Sequence, residues 1–261
     1  MQQWVYQMER VKTGIPGFDD LIEGGIPKGF NVLITGTPGT GKTIFALQYL
    51  YSGAMKGENG LLVTLDSKRQ ELIEQAQCFG WDLESLHKQD KLSILEVPMD
   101  KVEMDLFSMI EDEVQRIDAK RLVFDNLMNF AINIDQFKVP VSFIIGNPEV
   151  ASVMGNEKMY YTGKSEKRIT YLLINELSRL NTTNIMITSA PEGEEAQLTS
   201  DQVSEFAADG VIVMYNQLVG ARHAKTMTIL KMRKTNNSPY IHDVELGKDG
   251  VIIRPAQAVY E

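Results

Sequence analysis

The segment Gly36-Thr37-Pro38-Gly39-Thr40-Gly41-Lys42-Thr43 constrains the fold of this chain more than any other stretch. Its glycines let the backbone wrap closely with its N–H groups pointing inward, an arrangement that receives phosphate oxygens. Such a loop needs a strand before it and the positive N-terminal end of a helix after it. Phe30-Asn31-Val32-Leu33-Ile34-Thr35 reads as the buried strand. Thr43 to Met55 then carries Ile44, Leu47, Leu50 and Tyr51 at helical spacing and stops at Gly57. The segment is therefore a P-loop. Its cradle runs over Thr37, Pro38, Gly39, Thr40, Gly41, Lys42, Thr43 and Ile44. Lys42 is expected to reach the β- and γ-phosphates of ATP or ADP, and the Thr43 hydroxyl to serve Mg²⁺.

The remainder of the chain alternates short apolar runs with helical patterns, the signature of a mainly parallel sheet flanked by helices. Leu61 to Leu65, Leu92 to Val97, Arg121 to Asp125 and Asn184 to Thr188 read as strands. Val102 to Ile117 is an amphipathic helix with Val102, Leu106, Met109, Ile110, Val114 and Ile117 on one side, and Lys167 to Leu180 is helical. Ser67, with Gln70 three residues on, gives a helix start signal. From Gly210 the texture changes. Gly210 to Tyr215, Lys225 to Met232, Tyr240 to Glu245 and Val251 to Ile253 read as strands joined by short turns, an antiparallel C-terminal extension of the α/β sheet. The stretch 126–165 shows no clear period and reads as an insertion or irregular segment. With 261 residues, one domain carrying such a piece fits the length.

Asp125 ends an apolar strand, and ligands in open α/β sheets gather at strand C-termini. A carboxylate there is expected to hold Mg²⁺ with Thr43. Composition narrows the partners. A net charge of −9 and a pI near 5.0 repel nucleic acid, whose binding rests mainly on phosphate neutralisation. No apolar run approaches the ~20 residues that span a bilayer, so no membrane role is expected. Met1 to Tyr6 lacks a basic segment followed by an apolar one, and the single cysteine suits a reducing compartment; the expected location is the cytoplasm. Cys78 itself reads as a small buried hydrophobe. His87, His223 and His242 lack metal-ligand spacing and read as solvated or capping residues.

A second set of motifs is family-specific. Thr13-Gly14-Ile15-Pro16-Gly17-Phe18-Asp19 through Gly24-Gly25-Ile26-Pro27-Lys28-Gly29 precedes the P-loop strand. Phe79-Gly80-Trp81-Asp82-Leu83, Phe206-Ala207-Ala208-Asp209-Gly210, Lys231-Met232-Arg233-Lys234-Thr235 and Gly247-Lys248-Asp249-Gly250-Val251 follow in order. In these motifs the chain resembles the KaiC-like domains of the RecA superfamily of P-loop ATPases, over nearly its whole length except 126–165. The resemblance implies a RecA-like core that assembles into a homohexameric ring with ATP between subunits. It also implies that Lys231 and Arg233 reach across to the phosphates held by the next subunit, where cations stabilise charge developing on the γ-phosphate.

The chain departs from that pattern at two places. Paired glutamates normally follow the second strand, one of them activating the attacking water; here Asp66 and Ser67 stand there. Aspartate keeps the carboxylate but is one methylene shorter, and a misplacement of about 1 Å can cost ~10²-fold in rate. Ser67 has its own reason to exist as a helix cap. Glu205 and Phe206 stand near the positions where KaiC autophosphorylates on an adjacent Ser-Thr pair, so autokinase activity is not expected. Three functions remain open: a slow Mg²⁺-dependent ATPase whose nucleotide state controls ring assembly and partner binding, a nucleotide-bound module without turnover, and a recombinase-like DNA-binding ATPase. The last has only Lys138, Lys158 and Lys164 as basic residues within 126–165.

Overall fold

The computed structural model describes residues 8–97, 105–133, 166–190, 198–199, 203–219 and 222–256. The chain builds a nine-stranded sheet in the order β11-β10-β9-β8-β3-β7-β6-β4-β5. Its parallel half comprises β3 (Asn31–Gly36), β4 (Gly60–Thr64), β5 (Leu92–Glu96), β6 (Arg121–Asp125), β7 (Thr183–Ile187) and β8 (Gly210–Val219). β9 (Arg222–Met232), β10 (Ile241–Gly247) and β11 (Gly250–Arg254) continue it antiparallel from β8. A two-stranded ribbon, β1 (Arg10–Val11) with β2 (Ile26–Pro27), lies in the lead-in. The α/β class and the antiparallel extension expected from sequence are both present.

The parallel strands are mainly apolar at their centres because both of their faces are covered. Ile34, Leu62, Val123, Ile185 and Ile212 point to one face, beneath α1 (Lys42–Ala54), α2 (Arg69–Gln77) and α3 (Leu83–Lys88). Leu33, Val63, Phe124, Met186 and Val211 point to the other. That side is covered by α4 (Leu106–Arg116), α5 (Leu127–Ile132), α6 (Glu166–Leu177) and the short α7 (Ser204–Ala207). α4 buries Leu106, Ile110 and Val114 as its stripe; Val102 lies outside the described residues, as do Lys138, Lys158 and Lys164.

Motifs far apart in sequence meet as packing units. Trp81 stacks on Phe79 and Tyr51 at ring-centroid distances of 5.0 and 5.7 Å, and its indole closes over Gly250, where a Cβ would come within 2.6 Å of it. Gly17 (φ 80°) approaches the carbonyl of Ile253 so closely that a Cβ would sit 2.0 Å from it. This lets Pro16 O accept from Ile253 N–H at 2.9 Å. Gln48 on α1 also covers β11, its amide donating to Val251 O and accepting from Val251 N–H. A sheet edge with unpaired backbone groups is thereby closed. At the opposite end of the core Arg121 is fully buried. Its guanidinium bonds Tyr49 O, Lys12 O and the Glu58 carboxylate and lies 4.5 Å over the Tyr49 ring.

Four sequence expectations are corrected. The helix after β4 is capped at Lys68 rather than Ser67: Lys68 N–H donates to Glu71, and Glu96 at the end of β5 accepts from Arg69 N–H. Ser67 is instead held in a turn by Thr64, whose hydroxyl accepts from Ser67 N–H and donates to Ser67 O. Cys78 is exposed, because α2 buries Leu72, Ile73 and Ala76 and position 78 falls off that stripe. His242 is buried rather than solvated, its Nδ1 accepting from Ala256 N–H while Nε2 faces Ser238 Oγ at 2.9 Å. Finally, β8 and β9 form a longer hairpin than their apolar runs suggest. Its outer part brings in polar residues such as Asn216, paired with Lys225, and Gln217.

Candidate nucleotide-binding site

β3 delivers Gly36 at the C-terminal end of the parallel sheet, and α1 begins six residues later at Lys42. Gly36 (φ 149°) passes so near β8 that a Cβ would lie 2.1 Å from Met214 O, so no larger residue fits at the root of the loop. Gly41 caps α1 in the left-handed region (φ 102°), which turns the first helical N–H groups toward the cleft. The cleft has a volume of about 360 Å³ and is lined by the loop together with Asp66, Asp125 and Asn126. Gln75 from α2 and Leu246 from β10 complete its walls.

Within it Lys42 lies folded over the loop, its Nζ donating to Gly36 O at 2.7 Å and Thr37 O at 3.0 Å. Burial lowers its pKa and the Asp125 charge opposes that shift. Thr40 braces the loop from inside, its hydroxyl donating to Thr37 O at 3.0 Å. Thr43 Oγ1 donates to Asp125 Oδ2 at 3.0 Å. Asp125 is almost wholly buried, and desolvation raises its pKa to about 6. The Thr43 hydrogen bond lowers it, the Asp66 charge raises it and Lys42 lowers it, in descending order of effect. Asp66 stands at the cleft with its Oδ1 accepting from Asn129 Nδ2 at 3.1 Å and its Oδ2 from Asn126 Nδ2 at 3.4 Å. Ile44 extends the wall along α1. The cradle residues, Asp66 and Asp125 thus meet at one place.

Lys231 and Arg233 do not join them. β9 runs antiparallel to β8, so Met232 lies opposite Gly210 while Met227 lies opposite Met214, the neighbour of Gly36. The two cations therefore sit roughly 13 Å of strand away from the P-loop of their own chain. There Lys231 Nζ lies 3.4 Å from Phe206 O, and Arg233 bonds Asp209 Oδ1 at 3.1 Å and Phe206 O at 3.3 Å. Phe206 is exposed, and the Glu205 carboxylate accepts from the Thr199 hydroxyl.

Arg222 to Lys225, although close in sequence to Lys231 and Arg233, are set apart from them by the register. Lys225 lies at the P-loop end of β9, its Nζ 2.6 Å from Gly39 O. Sequence reasoning missed Gln75, Leu246 and Asn129. They reach the cleft from elements whose approach no local pattern encodes. Only Asn126, next to Asp125 and cap of α5, carries a local signal. Among the described residues no group of three metal-ligating side chains occurs, and no helix is long and apolar enough to cross a membrane.

Comparisons with known proteins agree with this geometry. Residues 11–140 and 152–258 match the family described as "ATPase: KaiC". The circadian clock oscillator protein KaiC of Nostoc sp. PCC 7120 is 32% identical over 262 residues, covering 97% of this chain and 45% of the relative. That of Synechococcus elongatus PCC 7942 is 31% identical over 251 residues, covering 96% and 45%. The chain thus spans about half the length of the curated relatives it matches. The crystal structure of a KaiC-like protein from the hyperthermophilic archaeon Pyrococcus horikoshii OT3 superposes with a TM-score of 0.76 at 34% identity, covering 95% of this chain and 100% of that one. A complete P-loop at the end of β3, its partner carboxylate on β6 and this likeness along the chain lead to one assignment: the protein belongs to the KaiC family of ATPases, with an ATP-binding, RecA-type fold.

Proposed function

We propose that this protein is a slow Mg²⁺-dependent ATPase that binds its nucleotide between subunits of a homohexameric ring, and that the nucleotide state sets ring assembly and the surface offered to a partner protein. One observation carries the reading. The phosphate loop, Asp125 and Asp66 share a cleft, while the two cations suited to the γ-phosphate lie at the far end of the sheet. A site so divided is completed by a second copy of the chain.

The residues present fit a divalent ion. Thr43 and Asp125 offer hard oxygen donors in contact with each other, and a buried carboxylate whose ionisation is opposed by desolvation gains from a cation beside it. Mg²⁺ takes one or two protein oxygens and completes its shell with water and phosphates, which suits so small a donor set. When bound it would supply positive charge beside the β- and γ-phosphates.

On binding, Lys42 exchanges two neutral carbonyls for anionic phosphate oxygens, a gain from charge-assisted hydrogen bonds. The loop N–H groups and the N-terminal end of α1 hold the phosphates in line. Asp66 takes a proton from the attacking water as its oxygen bonds the γ-phosphorus. The bond to the β–γ bridging oxygen breaks, and ADP and phosphate leave. Lys231 and Arg233 of the neighbouring subunit neutralise the charge spread over the γ-oxygens.

Phosphate release from ATP-Mg²⁺ across a range of protein concentrations tests this, with Lys42→Ala as control. Specific activity should rise with concentration and vanish in the control. The short Asp66 favours a second reading, a nucleotide-bound module without turnover. Bound ATP that stays intact, with release no greater than the control's, would establish that reading instead.

A further inference from the structure

We propose that Asn129, assisted by Asn126, is a positioning residue that holds Asp66 in the one orientation from which it can act on water; this rests on the reading of Asp66 as the water-activating base. Asp66 is exposed at the cleft, and a short exposed carboxylate samples three χ1 rotamers. Two amides select one of them. Asn129 Nδ2 meets Oδ1 at 3.1 Å and Asn126 Nδ2 meets Oδ2 at 3.4 Å. An ionised carboxylate has about four acceptor positions, so a water can still bind.

Neutral donors matter here. A lysine or arginine at the same place would fix the carboxylate but also stabilise its ionised form and weaken it as a base. Amides orient it without placing a full positive charge beside it.

The two asparagines are themselves fixed. Asn126 directly follows Asp125, and its Oδ1 accepts from Asn129 N–H at 2.7 Å to cap α5. On the other side, Thr64 stands opposite Asp125 in the β4–β6 register, and Leu65 N–H donates to Asp125 O at 2.7 Å. The metal-site carboxylate and the base are thus set by one junction between β4, β6 and α5. Such a support compensates for the methylene that aspartate lacks, because rate depends steeply on the placement of the reacting group.

The test is a cycle of Asn129→Ala and Asp66→Asn in the full chain, reading kcat, KM, ATP affinity and melting temperature. Asn129→Ala should lower kcat about 10- to 100-fold with ATP affinity within twofold of the parent, and should cost nothing further in the Asp66→Asn background. Asn129→Asp has the same shape and leaves the α5 cap bond to the backbone intact; it should lose at least as much, because it replaces a donor with a repelling carboxylate. A crystal structure of Asn129→Ala with ADP should show Asp66 spread over rotamers where the parent shows one, a readout independent of turnover. The inference is overturned if kcat is unchanged or rises, if the loss is the same without Asp66, or if Asp66 keeps its single rotamer. Should Asp66→Asn itself leave kcat unchanged, the assignment of the base fails, which is a different result.

Discussion

Asp125→Asn is expected to lower ATP turnover by on the order of 10³-fold while making the nucleotide-free protein more stable at neutral pH. Turnover falls because the amide cannot supply the negative charge that a divalent ion requires. Stability rises for the opposite reason. Asp125 is buried and its pKa is raised to about 6 from an ordinary 3.8, chiefly by desolvation. A carboxyl raised in the folded state contributes stability fully present below the unfolded value and lost as pH rises through the folded one. Above about pH 6 the fold therefore bears a buried charge, costing on the order of 3 kcal/mol at 1.36 kcal/mol per pKa unit. The isosteric amide removes that cost and can still accept from the Thr43 hydroxyl, so melting at pH 7.5 should rise by roughly 6–12 °C. The parent alone should gain stability as pH falls from 7 to 5. With ATP-Mg²⁺ the ranking should reverse, because only the parent binds the pair tightly. Thermal melts of both proteins, with and without ligand, check this. A less stable variant at pH 7.5 without nucleotide would contradict the account of Asp125.

The second large effect lies at the opposite end of the sheet. Arg121→Ala should cost about 3–5 kcal/mol, lowering the melting temperature by roughly 10 °C, with nucleotide affinity little changed in the protein that remains folded. The guanidinium is fully buried, satisfies the carbonyls of Tyr49 and Lys12, pairs with Glu58 and packs over the Tyr49 ring. Removing it strands the buried carbonyl of Tyr49, leaves the Lys12 carbonyl without this donor and opens a cavity. Lysine cannot replace it, having no planar fork to reach three partners at once. Gly53 belongs to the same site, since a Cβ there would come within 2.3 Å of the arginine. Urea denaturation measures the loss; a cost under 1 kcal/mol would mean that the cluster relaxes or hydrates.

What was legible in the sequence is what local chemistry encodes. The P-loop carries its requirements in eight consecutive residues, and the apolar centres of β4 and β6 announce a sheet covered on both faces. Asp125 could be read because an acid ending an apolar strand is conspicuous. The remaining site residues come from register and tertiary approach. Lys225 reaches Gly39 only because β8 and β9 pair beyond their apolar parts, and Asn129 reaches Asp66 only because β4 and β6 are neighbours. The cap of α2 was misread because Thr64, before it, takes the Ser67 N–H and Glu96, from another strand, takes the Arg69 N–H.

The division of the site between subunits is tested most directly by mixing two inactive variants. Lys42→Ala has no working phosphate loop but keeps Lys231 and Arg233, and Arg233→Ala has the loop but lacks the guanidinium. Each alone should release little phosphate from ATP-Mg²⁺. Mixed, the loop of one faces the cations of the other, and activity should reappear and rise with total concentration. A mixture no more active than its components, with each variant assembled like the parent, would contradict a shared site.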